Sequence, residues 1–320
     1  MAAAWSRARA PATIANVGPG FDVFCLAVKG PADEVAIRPA RSDSLRVSGV
    51  DARALPSRFT ENTAGIVIDA LRERTGIHTP VEVLVRKGIP AGRGLGSSAA
   101  SCAAGALAFL RAFPRARRIP SLDVLEAAVE GEAAVAGRHY DNVAGALLGG
   151  FVSIASTDPL VLVREPVSAR IHIALAIPGF VLRTEDMRKV LPKEVPLSDA
   201  VSNVGRAATL ALALARGDAE LAGRCLEDRF ATPYRAPFLK GFGEVRSAAM
   251  ISGATGVSIS GSGSTVFALA RTRGDATRVA RAMRGAFAEA GVAARSLVTS
   301  VDNTIRLPGV RGGRFTLQER

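Results

Sequence analysis

The chain has 320 residues, 41 Lys+Arg against 29 Asp+Glu for a formal net charge of +12, and 48% apolar residues. That apolar content excludes a disordered chain, and the length predicts two domains or one large one. No stretch approaches the roughly 18 uninterrupted apolar residues of a membrane span, and no signal-type apolar segment precedes the first motif, so a soluble, cytoplasmic protein with no membrane partner is expected.

Residues 34 to 50 alternate apolar and polar positions around a turn-rich centre, as two strands do. From Asn62 the period changes. TAGIVIDALRERTG puts Ile66, Ile68 and Leu71 on a helix closed by Gly76, and VEVLVRKGIP reads as a strand ending before Pro90. AGRGLGSSAASCAAGALAFLRAF is a glycine turn running into a helix of small residues. A helix from about Ser121 to Ala136 follows, then a Gly-rich apolar stretch, NVAGALLGGFVSI, that turns into a strand. After about Val163 the pattern restarts with strand-like ARIHIALAIP, a helix beginning near Leu197 and another from about Ala219 to Leu226. The tail gives GVSISGSGSTVFALA, the helix DATRVARAMRGAFAEAG and the strand ARSLVTSV. This order predicts an α+β layout with a soft boundary near residue 165, hence domains over 1–165 and 166–320.

Cys25, Cys102 and Cys225 are odd in number and far apart, which fits small apolar packers rather than a disulfide framework. His78, His139 and His172 are equally scattered and argue against a multi-histidine metal centre. The basic residues are mostly dispersed arginines, with one Trp and two Tyr, and no nucleic-acid-binding signature accompanies them. They fit a cationic surface or one facing phosphorylated ligands, and no nucleic acid is expected as a partner.

Chemistry enters at Ala91-Gly92-Arg93-Gly94-Leu95-Gly96-Ser97-Ser98. Three alternate glycines remove the Cβ atoms that block a ligand from backbone N–H groups, and the helix that follows offers unpaired donors and partial positive charge. Ser97 and Ser98 can cap that helix or present hydroxyls to phosphate or Mg²⁺. The segment lacks the lysine of GxxxxGK[ST] and is not GxGxxG with its later acidic residue, so neither P-loop nor Rossmann binding follows.

PAGRGLGSSAA resembles the phosphate-binding motif of the GHMP kinases, the superfamily of galactokinase, homoserine kinase, mevalonate kinase and phosphomevalonate kinase. APATIANVGPGFDVFCLAV, residues 10 to 28, resembles the N-terminal signature of homoserine kinases, and GVSISGSGSTVFAL, residues 256 to 269, the third glycine motif. EAAVAGRHYDNVAGALLGG, residues 132 to 150, is similar to the GExxxSG…HxDNVAPxxxGG text of homoserine kinases, with one residue between Gly137 and His139 instead of two and with Gly145 in place of proline. The resemblance spans nearly the whole chain, with the motifs in matching order.

That resemblance implies a two-domain GHMP kinase fold, N-terminal ribosomal protein S5 domain 2-like and C-terminal ferredoxin-like, with ATP between the domains. It implies ATP-dependent phosphorylation of the L-homoserine hydroxyl on the route to threonine, with Mg²⁺ and, by superfamily default, a homodimer. Another small-molecule GHMP kinase of the mevalonate or shikimate type, or a non-catalytic nucleotide sensor, are the alternatives. The nucleotide contacts implied are Asn62, Pro90, Ala91, Gly92, Arg93, Gly94, Leu95, Gly96, Ser97, Ser98, Ala99 and Ala100, with Lys87 adding charge; for Asn62 a helix cap is the competing role. Ser98 and Glu132 are the implied metal ligands, with Glu130 a rival. Asn16, Asp22, His139, Thr184, Arg188, Arg235 and Gly261 are the implied acceptor pocket. Asp22 meets the ammonium, the two arginines grip the carboxylate, and Gly261 and Gly263 let the C-terminal loop approach the phosphate turn. Asn142 takes the transfer position and cannot act as a base, so catalysis by alignment and electrostatics is expected, with Asp141 the alternative base.

Overall fold

The computed structural model describes residues 4–310 and 315–318. Chain order runs β1 (Ser6–Ala15), β2 (Phe24–Pro39), β3 (Ser44–Gly49), α1 (Thr63–Thr75), β4 (Val81–Lys87), α2 (Ser97–Ala112), α3 (Ser121–Ala136), α4 (Asp141–Leu148), β5 (Phe151–Thr157) and β6 (Leu160–Glu165). It continues through β7 (His172–Pro178), α5 (Thr184–Lys189), α6 (Leu197–Arg216), α7 (Ala219–Arg224), α8 (Thr232–Arg235), α9 (Phe242–Ile251), β8 (Gly256–Ile259), β9 (Val266–Ala270), α10 (Arg273–Glu289), β10 (Ala294–Ser300) and β11 (Phe315–Gln318).

The first sheet has the order β11-β6-β5-β2-β4-β3 with β1 on β2, and only β3 and β4 run parallel. The sixteen-residue β2 is its spine: one end pairs with β5, the other with β4, and β1 follows it nearly throughout. Helices α1, α2 and α3 pack on one another, and α2 lies against β1 and β2. The alanines of α2, including Ala99, Ala100, Ala103 and Ala104, are fully buried, because small side chains let that helix press close to the sheet.

The second sheet, β10-β7-β9-β8, is antiparallel throughout, and the order of its strands with two long crossovers is that of a ferredoxin-like domain. Period-two alternation divides its residues between two cores. Ile173, Leu175, Phe267 and Leu269 join the large core shared with the first sheet, while Ala174, Ala176, Val266 and Ala268 face the smaller core with Val279, Met283 and Phe287 of α10. One contiguous core therefore holds both layers together.

Most expected elements occur with close boundaries; α1 is capped by Asn62 and ends at Gly76, φ 66°. The Gly-rich stretch after Asp141 is instead a helix, α4, which tolerates Gly145 because a Cβ there would stand 2.5 Å from Cys25 Sγ. The boundary at 165 also needs correction. After β10 the chain returns to the first layer: Arg306 N and Leu307 N donate to Leu147 O, and β11 pairs with β6. The tail thus belongs to the sheet of the N-terminal half. No helix among the described residues is long and apolar enough to cross a membrane.

Candidate active site

The glycine turn lies between β4 and α2, and Gly92, Gly94 and Gly96 all have positive φ, 65°, 71° and 61°. A Cβ at Gly94 would collide with Ser260 O, and one at Gly96 with Thr13 Oγ1, so the turn is closed to larger residues. Its carbonyls are all occupied. Gly92 O accepts from Leu182 N at 3.2 Å, Arg93 O from Thr265 N at 3.1 Å, Leu95 O from Thr13 N at 3.1 Å and Gly96 O from Ala100 N at 2.9 Å, while Gly94 O accepts from Ser260 Oγ. The N–H groups of residues 92 to 98 donate to no acceptor among the described residues. Turning the carbonyls toward the protein leaves a row of unused amides, which is what an anion site requires.

Two buried devices fix this turn. Lys87 Nζ is bonded to Asp33 and donates to Ser97 O at 2.8 Å and Ser101 Oγ at 2.7 Å, while Asp33 Oδ1 accepts from Gly88 N and Ile89 N at 2.9 and 3.1 Å. Lys87 is thus not a charge free for phosphate; with Asp33 it staples the entry and exit of the turn. Arg93 is similarly engaged, by Asp51 at 2.8 Å and by Pro178 O and Gly179 O.

At the helix end of the turn, Ser98 Oγ donates to Glu132 Oε1 at 2.9 Å, and Glu132 Oε2 is buried with no partner among the described residues. Burial, reinforced by Asp141, pushes the Glu132 carboxyl up to about 7. The rival Glu130 is held by Arg74 instead. Beside them, Asn142 Oδ1 accepts from Thr13 Oγ1 at 2.6 Å, and its amide nitrogen donates to Asp141 Oδ1 at 3.4 Å. Asp141 is buried and accepts from Asn142 N at 2.7 Å; burial, and then the Asp22 carboxylate, raise it to about 6.

The other end of the same cavity is polar. Asn16 and Asp22 both adopt left-handed backbone, φ 54° and 56°, and Asn16 Oδ1 accepts from Asp22 N at 2.9 Å across the Gly-Pro-Gly turn. Arg188 grips Asp22 through both terminal nitrogens at 3.0 and 2.7 Å and meets His139 Nδ1 at 3.3 Å. Burial and the Arg188 charge lower the His139 pKa. Arg235 is buried and, among the described residues, donates to Met187 O and Gly261 O at 3.2 and 3.0 Å. Both guanidiniums stand over the Phe21 ring, Arg188 at 5.5 Å and Arg235 at 5.3 Å from its centre. Thr184 Oγ1 stands 3.2 Å from Ser262 Oγ.

A single cavity of about 360 Å³ is lined by both ends, bringing together Asn16, Asp22, Asn62, His139, Thr184, Arg188, Arg235 and Gly261 with the turn, Glu132 and Asn142. Three expected contacts fall outside it: Ala99 and Ala100 are sealed inside α2, and Pro90 lines a separate cavity. Asn62 lines the wall, but its side chain is used at both ends, accepting from Ala64 N at 3.0 Å and donating to Pro56 O at 2.7 Å; it acts as the cap of α1. Thr13, Phe21, Asp33, Asp51 and Ser262 escaped the sequence reading. Thr13 and Phe21 lie inside the N-terminal signature and Ser262 inside the third glycine motif, so motif membership was their available signal.

The model of the GHMP kinases N terminal domain matches residues 62–150, and that of the GHMP kinases C terminal domain residues 210–289. Homoserine kinase of Natronomonas pharaonis is 43% identical over 92% of this chain and 96% of its own, and that of Pyrococcus abyssi 39% identical with the same coverage. The crystal structure of homoserine kinase from Cytophaga hutchinsonii superposes with a TM-score of 0.88 at 36% identity, covering 98% of this chain and 97% of the other. With sequence, fold and order of motifs in agreement, the chain belongs to the homoserine kinases of the GHMP kinase family.

Proposed function

We propose that the protein transfers the γ-phosphoryl group of ATP to the side-chain hydroxyl of L-homoserine, giving O-phospho-L-homoserine and ADP on the route to threonine. The observation that carries this is the shared cavity: unused amides of residues 92 to 98 at one end, Asp22 with Arg188 and Arg235 at the other. Amides suit a phosphate chain, while a carboxylate beside two arginines matches an amino acid's ammonium and carboxylate.

In this mechanism the incoming zwitterion opens the Asp22–Arg188 pair, taking Asp22 with its ammonium and Arg188 and Arg235 with its carboxylate. One ion pair is exchanged for several, so the charges are not left unpaired on binding. Thr13 fixes the Asn142 amide through its oxygen, and this cavity-lining amide is the group we assign to hold the hydroxyl or a phosphate oxygen, exchanging its contact with Asp141 for the substrate. The protein supplies alignment, and the hydroxyl proton leaves to phosphate or water rather than to Asn142. Ser98 and Glu132 are the residues that would hold Mg²⁺; two hard oxygen donors, one of them a buried oxygen lacking a partner, fit that ion. When bound, it would neutralise phosphate charge. We assign the working form as a homodimer in the cytoplasm.

Rates with ATP and Mg²⁺ on homoserine, mevalonate and shikimate test the reading. The expected result is the highest kcat/KM with homoserine. Preference for mevalonate or shikimate would reassign the substrate, and ADP release no faster than the ATPase blank with all three would make the protein a nucleotide sensor.

A further inference from the structure

Five cationic side chains line the cavity: Lys87, Arg93, Arg183, Arg188 and Arg235. Four are engaged by the protein itself. Lys87 is bonded to Asp33, Arg93 to Asp51 at 2.8 Å, Arg188 to Asp22 at 2.7 Å, and Arg235 to Met187 O and Gly261 O at 3.2 and 3.0 Å. The side chain of Arg183, alone of the five, makes no hydrogen bond or ion pair among the described residues. Glu185, a carboxylate of the same cavity that could neutralise it, is taken by Lys189 at 2.5 Å. A solvated arginine on a surface needs no explanation; this one is set apart by where the backbone puts it. Residues 180 to 184 run alongside the glycine turn. Phe180 O accepts from Ser264 Oγ at 2.7 Å, Leu182 N donates to Gly92 O at 3.2 Å, and Thr184 Oγ1 stands 3.2 Å from Ser262 Oγ. A Cβ at Gly92 would come within 2.6 Å of Val181 Cγ1, so the segment lies directly against the first glycine. Arg183 therefore follows a backbone contact to the phosphate turn, and α5 then carries Arg188 to the acceptor end.

We infer that Arg183 binds the terminal phosphoryl group of the nucleotide and neutralises the charge it carries in transfer, an assignment that rests on the function proposed above and adds a catalytic residue to it. A triphosphate brings more negative charge than one Mg²⁺ neutralises, and the lysine beside the turn is spent on Asp33. Ser98 and Glu132 serve the helix end of the turn, while Arg183 stands at its Gly92 end, where the two ends of the cavity meet. As the bond from the homoserine oxygen to the γ-phosphorus forms and the bond from that phosphorus to the ADP oxygen breaks, charge spreads over the three remaining phosphoryl oxygens. A planar guanidinium fork meets two of them at once. The hydroxyl proton leaves to phosphate or water as before, and Arg183 neither gives nor takes one.

Calorimetric titration with ADP and with a non-hydrolysable ATP analogue, both in Mg²⁺, tests this together with steady-state kinetics on the wild type, Arg183→Ala and Arg183→Lys. The side chain is exposed and caps nothing, so its removal leaves the fold intact. Arg183→Ala is expected to bind the analogue about tenfold more weakly with ADP affinity changed less than about twofold, because only the analogue carries the terminal phosphate. Its kcat should fall about 100-fold, with the homoserine KM changed less than about threefold. Arg183→Lys should recover part of that kcat, and millimolar guanidinium chloride should raise the rate of Arg183→Ala but not of the wild type. Analogue affinity or kcat within about twofold of the wild type in Arg183→Ala makes the residue a surface charge and overturns the assignment. Equal weakening of ADP and analogue moves the contact to the inner phosphates, and a loss that neither lysine nor guanidinium restores makes the role structural; each overturns it as well. A wild type that binds the analogue yet phosphorylates no homoserine overturns the proposed function instead, and the difference between analogue and ADP then still decides whether Arg183 meets the terminal phosphate.

Discussion

Asp22 and Arg188 hold each other face to face, with both carboxylate oxygens accepting from both terminal guanidinium nitrogens at 3.0 and 2.7 Å. They come from opposite halves of the chain and are the groups that an amino acid's two charges need. In the proposed mechanism the pair is a closed form of the acceptor site, kept ready by mutual neutralisation. Asp22→Asn removes the anion and leaves Arg188 bound to a weaker acceptor. The KM for homoserine is expected to rise about 100-fold, as for loss of one charge-assisted contact, with ATP affinity changed less than about threefold. Steady-state kinetics with each substrate varied in turn checks this.

Arg235 is expected to resist conservative replacement. Burial, and then Arg188, bring its pKa down to about 10. A lysine in the same surroundings, starting near 10.4, would fall to roughly 8 and lose part of its charge in the assay range. Arg235→Lys should therefore raise the homoserine KM about tenfold at pH 7 and further toward pH 9, while the wild-type KM stays flat over that interval.

Glu132 gives a pH signature with a definite sign. Its carboxyl stands at about 7 against an ordinary 4.5, so between those values the folded chain holds a proton that the unfolded chain has released. The stability this group contributes is complete below pH 4.5 and is lost as pH rises through 7, by about 3 kcal/mol in the ligand-free protein. Glu132→Gln is expected to flatten that slope in urea titrations while lowering kcat. For the same reason apparent Mg²⁺ affinity should fall about tenfold per pH unit below 7, as protons compete for the carboxylate. Ser98→Ala should mainly lower kcat.

Lys87 and Asp33 act on the turn from behind. Lys87→Met leaves the buried Asp33 carboxylate without its counter-charge, held only by Gly88 N, Ile89 N and Ser101 Oγ, and removes the Lys87 donor to Ser97 O, so the exit of the turn loses its anchor. The KM for ATP is expected to rise at least about tenfold and thermal stability to drop by about 3 kcal/mol, with the homoserine KM nearly unchanged. Calorimetric titration with ADP, together with a melting curve, measures both effects.

Much of this site is written in local sequence, and what is not has a common cause. The turn from Gly92 to Ser98 is legible because its glycines, φ values and following helix are properties of adjacent residues. The capping of α1 by Asn62 is legible for the same reason. Lys87 misleads because a lysine beside a phosphate turn looks like a phosphate ligand until Asp33, fifty-four residues earlier, is seen to occupy it. The return of the tail to β6 and the contact of Thr13 with Asn142 are likewise long-range pairings that no periodicity encodes. That Glu130 is held by Arg74 while Glu132 accepts from Ser98 is a further long-range pairing of the same kind.

The most direct measurement is a crystal structure with homoserine and a non-hydrolysable ATP analogue bound together. The account predicts the analogue's terminal phosphate on the amides of residues 92 to 98, the amino acid between Asp22, Arg188 and Arg235, and its hydroxyl about 3–3.5 Å from the terminal phosphorus. A terminal phosphate lying away from that turn, or an amino acid bound without those three side chains, would contradict it.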